Sequence, residues 1–160
     1  MLCTFAMMVS CSNLVMVDYA GYCDMYVANA SGHTVEFETY DELGRDPQTT
    51  VIPDGGKVKV RSYYDMGSAP VNPQRIFLDT VVFRFDDGTN LTHTGTIYEV
   101  EYYHRVIKPF YPDSNNVLDL ASWAVTRTHK SEHCPLEIGV FTLTESDYAT
   151  ALQQQTAALP

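Results

Sequence analysis

The sequence predicts an all-β protein: an antiparallel β-sandwich of seven to nine strands, closed by a short C-terminal helix. Three observations carry that prediction. Apolar and polar residues alternate with period two through segment after segment, the mark of strands with one buried face. Turn residues (Gly, Pro, Asn, Asp) recur at roughly eight- to twelve-residue intervals, the spacing of sandwiches and barrels. Aromatic residues are abundant, with 11 Tyr and 7 Phe, and these side chains favour strands. There is no strand–helix–strand alternation of the kind that builds a parallel α/β sheet, and nothing repeats at a fixed period.

Taken in order, Met25–Ala30 is the first strand candidate and Ser31-Gly32 its turn. In His33–Tyr40, Val35 and Phe37 face one way while Thr34, Glu36 and Glu38 face the other. Asp41–Gln48 holds Gly44 and Pro47 and reads as a loop. Thr49–Ile52 is a short strand, and Pro53-Asp54-Gly55-Gly56 is a turn whose residues tolerate positive φ. Lys57–Tyr63 alternates again, with Val58 and Val60 inward. Asp65–Pro73 is a proline-rich loop. Arg75–Phe85 is the most apolar strand and belongs at the centre of a sheet, with Val81, Phe83 and Phe85 on one face. Asp86-Asp87-Gly88-Thr89 is a hairpin turn.

Asn90–Thr94 returns from that turn, and Ile97–Val106 follows as a further strand. Lys108–Asn116, with Pro109 and Pro112, is a surface loop. Ser122–Thr128 and Glu137–Leu143 pair around a Lys130–Pro135 connection. Thr144-Glu-Ser-Asp147 has the pattern of a capping box, and starts a helix over Glu145–Gln154 that docks through Tyr148, Ala151 and Leu152. The expected core is Phe37, Val58, Val60, Val81, Phe83, Val100, Trp123 and Phe141.

The N-terminal segment has a different character. The first 17 residues carry no charged side chain. The run Met7-Met8-Val9-Ser10-Cys11 places a small residue and then cysteine at the end of an apolar stretch, as a bacterial lipoprotein signal does. The run is short of the ~20 apolar residues of a membrane span, and a buried segment of the domain is the alternative. On the lipoprotein reading, residues 1–10 are a signal peptide, 11–24 a tether lipidated at Cys11, and 25–160 a single β-sandwich domain. The protein then lies outside the cytoplasm. After processing, Cys23 and Cys134 are the two thiols left, so a disulfide between them is one expectation and two free thiols the other.

A net charge of −10, from 20 acidic and 10 basic residues, repels phosphate backbones and argues against nucleic acid as a partner. Lys and Arg are scattered along the chain. The chain holds no nucleophile elbow, zincin motif, phosphate-binding loop or dinucleotide fingerprint, so no enzyme activity and no cofactor are expected. His129, His133 and Cys134 have spacing that could hold zinc, against the reading of a solvated turn. Asp86-Asp87-Gly88-Thr-Asn90 resembles part of a calcium loop and lacks the acidic ligand that completes one. Asn29-Ala-Ser31 and Asn90-Leu-Thr92 match the N-glycosylation pattern.

Short motifs spread over most of the chain resemble small lipoproteins of the Bacteroidetes type. They are Met8-Val9-Ser10-Cys11, Asn29-Ala-Ser-Gly-His-Thr-Val35, Val51-Ile-Pro-Asp-Gly-Gly56, Val82-Phe-Arg-Phe-Asp-Asp-Gly88 and Phe141-Thr-Leu-Thr-Glu-Ser-Asp-Tyr148. The resemblance implies an outer-membrane lipoprotein, on the periplasmic side or the cell surface, with an immunoglobulin-like or transthyretin-like sandwich. It assigns no residue beyond Cys11.

Two functions follow as expectations. One is a non-enzymatic structural or accessory module of the cell envelope, held to the membrane by its lipid. The other is a module that binds a glycan or an envelope protein through exposed aromatics, with Tyr64, Tyr103, Phe110 and Tyr111 as candidates.

Overall fold

A computed structural model of the chain describes residues 20–40, 45–66, 68–100, 104–109, 115–131 and 134–157, with 96–100 and 104–109 described through their backbone. These residues form a β-sandwich of two antiparallel-rich sheets and one C-terminal helix. The strands are β1 (Ala20–Ala30), β2 (Val35–Thr39), β3 (Gln48–Ile52), β4 (Lys57–Met66), β5 (Thr80–Phe85), β6 (Asn90–Val100), β7 (His104–Pro109), β8 (Trp123–Ser131) and β9 (Cys134–Thr144). The helix α1 spans Glu145–Ala157. One sheet runs β4-β1-β9-β8 and the other β3-β2-β5-β6-β7. All described pairs are antiparallel except β1 with β9, which joins the first strand to the last in parallel.

The period-two pattern decides which face of each strand is buried. Cys23, Met25 and Val27 of β1 point inward, as do Val35 and Phe37 of β2, Val81, Phe83 and Phe85 of β5, and Phe141 and Leu143 of β9. Phe83 is the hub, with ring centroids 5.2 Å from Phe37 and 6.2 Å from Phe141. Trp123 packs 5.8 Å from Phe141 and donates its indole N–H to Val117 O at 2.9 Å, so its polar edge is satisfied inside the core. Of the expected core, Phe37, Val81, Phe83, Trp123 and Phe141 are buried, and Val58 and Val60 pack half-buried against them. The side chain of Val100 lies outside the described residues.

Several boundaries differ from the sequence reading; β4 runs on to Met66, so Asp65 and Met66, expected in the proline-rich loop, are sheet. The strand expected at Met25 begins at Ala20, so residues 20–24 are sheet rather than tether. Gly21 obscured it. Its inward position faces the backbone of Ser68 and Ala69, where a Cβ would sit 2.6 Å away, so only glycine fits and no apolar side chain marks the face. The expected strand Arg75–Phe85 is a strand only from Thr80. Pro73–Arg75 is a 3-10 turn capped by Asn72, and Ile76 and Phe77 after it plug the core without joining the ladder.

The strand expected over Ile97–Val106 is the second half of β6 plus the start of β7, folded on each other with Ile97 opposite Ile107. β8 runs on to Ser131, and β9 starts at Cys134 with Pro135 opposite His129. The helix starts at the expected position, and the Asp147 arm of the capping box is formed. Thr144 N–H and Oγ1 both donate to Asp147 Oδ2, at 2.7 and 2.8 Å. Ala151 is fully buried beneath the helix, Tyr148 packs against the core, and Leu152, expected to dock, is 42% exposed.

Candidate functional site

Side chains on β1 that alternate with the buried set point out of the sandwich. On the outer face of the four-stranded sheet, cross-strand pairing sets Tyr22 between Tyr64 of β4 and Leu136 of β9. The next row places Asp24 between Ser62 and Ile138, and the one after it Tyr26 between Lys59 and Val140. Leu136, Ile138 and Val140 are half-buried, and Tyr64 and Met66 are 71% and 76% exposed, the two most exposed large apolar side chains among the described residues. The Tyr22 and Tyr64 rings lie 6.2 Å apart, tilted by 40°.

Lysines border these rings. Lys57 Nζ sits 4.7 Å over the Tyr26 ring and Lys130 Nζ 4.0 Å over the Tyr22 ring, within cation–π range. Lys59 pairs with Asp24 at 3.7 Å. Lys57, Lys59 and Lys130, three of the chain's four lysines, share this one face. Sequence reasoning named Tyr64, and the alternation over Lys57–Tyr63, with Val58 and Val60 inward, turns Lys57 and Lys59 outward as found; it missed Tyr22, Tyr26 and Lys130. Their outward parity on alternating strands was the signal that could have found them.

A second constellation sits at one end of the sandwich, where the β1–β2 turn, the β5–β6 hairpin and α1 meet. His33 Nδ1 bonds Asp86 Oδ1 at 2.9 Å, and Thr34 N–H donates to the other Asp86 oxygen at 3.1 Å. Asp87 accepts from Thr89 N–H at 2.9 Å and from the Tyr148 hydroxyl at 2.7 Å. The His33 and Tyr148 rings stack with centroids 4.0 Å apart. The bond from His33 holds the Asp86 carboxyl below its usual range, and the bond from Tyr148 brings Asp87 down to about 2. The same bond pushes the Tyr148 hydroxyl up.

His33, Asp86 and Asp87 form a group with metal-ligand spacing among the described residues. Both oxygens of each carboxylate are already taken by protein donors, so the arrangement acts as a clasp between three elements. The hairpin turn that it uses, with Gly88 at φ +85°, is the structure of the calcium-loop fragment.

The remaining candidates fall as follows. Cys11, Tyr103, Phe110, Tyr111 and His133 lie outside the described residues. The Cys23–Cys134 disulfide is corrected: both thiols are free. Cys23 faces Glu137 across the parallel ladder, so Cys134 lies three positions away along β9, an offset of about 10 Å. That exceeds the reach of a disulfide. Burial pushes the Cys23 thiol up, and its partner across the antiparallel ladder is Tyr63. His129, the described histidine of the zinc alternative, is an exposed β8 residue and not part of a solvated turn.

Asn29 of the first glycosylation pattern is 2% exposed. Its amide donates to His33 O and Ile52 O while its oxygen accepts from Ser31, so it is a turn brace. The end of the Lys108–Asn116 loop is also structural: Asn116 is buried and caps Leu118 N–H, and Asn115 ties Thr142 O to Asp147. A cleft of about 80 Å³ on the other sheet, lined by Glu38, Tyr40, Thr80, Val82 and Arg84, has room for a few waters at ~30 Å³ each.

No protein-family model, curated protein or solved structure matches this chain.

Proposed function

We propose that this chain is a lipid-anchored, non-enzymatic module of the bacterial cell envelope, held at the outer membrane through Cys11. One observation carries the reading. An uncharged apolar leader ends in Val9-Ser10-Cys11, and only nine residues later, at Ala20, the first strand of a sandwich begins. A leader, a cysteine and a short tether before a folded domain is the arrangement a lipidated N-terminus needs. The alternative of a glycan- or protein-binding module is supported by the exposure of Tyr64; its other three candidate aromatics are outside the described residues.

The test is expression with the native leader in a lipoprotein-processing bacterium. The protein is expected in the detergent phase with an acylated Cys11, and Cys11→Ala is expected to release it. Soluble, unacylated wild-type protein with its leader intact would overturn the reading. Stable anchoring requires more than one acyl chain, since a single chain binds reversibly.

A further inference from the structure

We propose that the outer face of the four-stranded sheet docks on the bilayer surface. Tyr64, Met66 and Tyr22 seat in the interfacial zone while Lys57, Lys59 and Lys130 meet anionic headgroups. The proposal rests on the Cys11 anchor above and adds an orientation to it.

The first argument is charge. The chain carries −10 overall, yet the outward rows of β1, β4, β8 and β9 hold three lysines and one described carboxylate, Asp24. The outer face of the opposite sheet carries Glu36 and Glu38 against Arg84. On the described residues, an anionic surface therefore favours the first face over the second. Each lysine near an anionic leaflet strengthens binding by about fivefold.

The second argument is shape and chemistry. The most exposed apolar side chains, Tyr64 and Met66, sit side by side on the edge strand of a sheet face, not in a concave pocket. Tyrosine places an apolar ring and a polar hydroxyl together, which suits the headgroup level of a bilayer. A glycan would need bare ring faces, and the Tyr22 and Tyr26 rings are covered by Lys130 and Lys57.

The third argument is reach. Met66 lies opposite Ala20 and Tyr64 opposite Tyr22, so this apolar pair is at the end of β1 where the tether enters. Eight residues separate Cys11 from Ala20, at most about 30 Å of chain. An anchored molecule keeps this end close to the bilayer whatever its tilt, and that raises the effective concentration of the face at the membrane.

The experiment uses the full lipidated protein in vesicles of phosphatidylcholine with phosphatidylglycerol. Cys134→Ser removes the accessible native thiol, and Cys23 is fully buried. A fluorophore is placed at Tyr64→Cys in one sample and at Val51→Cys, exposed on the opposite sheet, in another. A lipid-borne quencher is expected to quench the label at 64 several-fold more than the label at 51. The difference should shrink with K57Q/K59Q/K130Q or with phosphatidylcholine alone.

Equal quenching at the two positions in protein that co-sediments with the vesicles overturns the docking face and leaves the anchor standing. Wild-type protein that does not co-sediment overturns the anchor and the docking face together. A label at 64 that responds to a soluble anionic polysaccharide and not to vesicles overturns docking in favour of glycan binding.

Discussion

The hydroxyl of Tyr148 donates to Asp87 Oδ2 at 2.7 Å and so fastens the C-terminal helix to a hairpin turn 61 residues earlier in the chain. Stacking of the same ring on His33 draws in the β1–β2 turn. Three elements distant in sequence thus share one polar clasp.

The clasp has an acid signature. Asp87 titrates near 2 in the folded protein against 3.8 when unfolded. Its contribution to stability is present above about pH 4 and is lost as pH falls through about 2, because the unfolded state binds the proton first. Tyr148→Phe should return the Asp87 value toward the ordinary carboxylate range in a carboxyl-carbon NMR titration. An unchanged value would mean that the Thr89 N–H alone sets it.

His93 predicts a separate window. It is 6% exposed, its ring packs edge-on against Phe83 and Phe141, and its unprotonated Nδ1 accepts Val117 N–H at 3.1 Å. Burial lowers its pKa to about 4 from 6.5. Between those values the unfolded chain takes up a proton that the folded chain refuses, so stability falls as pH drops from 6.5 toward 4. The full loss is roughly 3 kcal/mol at ~1.36 kcal/mol per unit. Urea unfolding at pH 7 and pH 5 measures it. His93→Asn, which removes the titration and offers an oxygen acceptor, should flatten the profile.

Packing gives a third prediction. Phe83→Ala should cost about 3–5 kcal/mol, the penalty for truncating a buried aromatic ring. Gly21→Ala should cost ~1–3 kcal/mol by overpacking, because the Ser68–Ala69 backbone occupies the space of its Cβ. Denaturant midpoints at constant m-value check both. A cost below about 0.5 kcal/mol for Gly21→Ala would show that the 68–72 segment moves aside freely.

The cysteines give a fourth. In the purified protein, alkylation under non-reducing denaturing conditions should modify both Cys23 and Cys134. Of these two, only Cys134 should react in the native protein, since Cys23 has no exposed surface. A linked peptide pair on non-reducing digestion would require β9 to slide by three residues against β1.

Much of this fold was legible because period two is a local signal. Val35 and Phe37, and Val81, Phe83 and Phe85, declare their buried face without knowledge of any partner strand. The Thr144–Asp147 cap is local too. What stayed hidden depends on register or strand order. The Cys23–Cys134 pairing came from counting, and counting ignores the offset along β9. The lysine face exists only because β4 and β8 flank β1 and β9, which brings Lys57 and Lys130 to one surface. His93 reads as polar in sequence and becomes a core residue because Val117 offers it an N–H.

The parallel pairing of β1 with β9 has a consequence for how the protein is made. Tyr22 meets Leu136 and Ala30 meets Thr144, so this ladder cannot form until nearly the whole chain is available. Such long-range closure is slow, because loop entropy must be overcome before any contact rewards it. Until β9 arrives, β1 has an open edge, with backbone groups free to pair with another chain. A partly synthesised or C-terminally clipped molecule would be an aggregation risk. A chain that must cross a membrane unfolded would gain from the same delay, since its first strand stays available for threading until its last has followed.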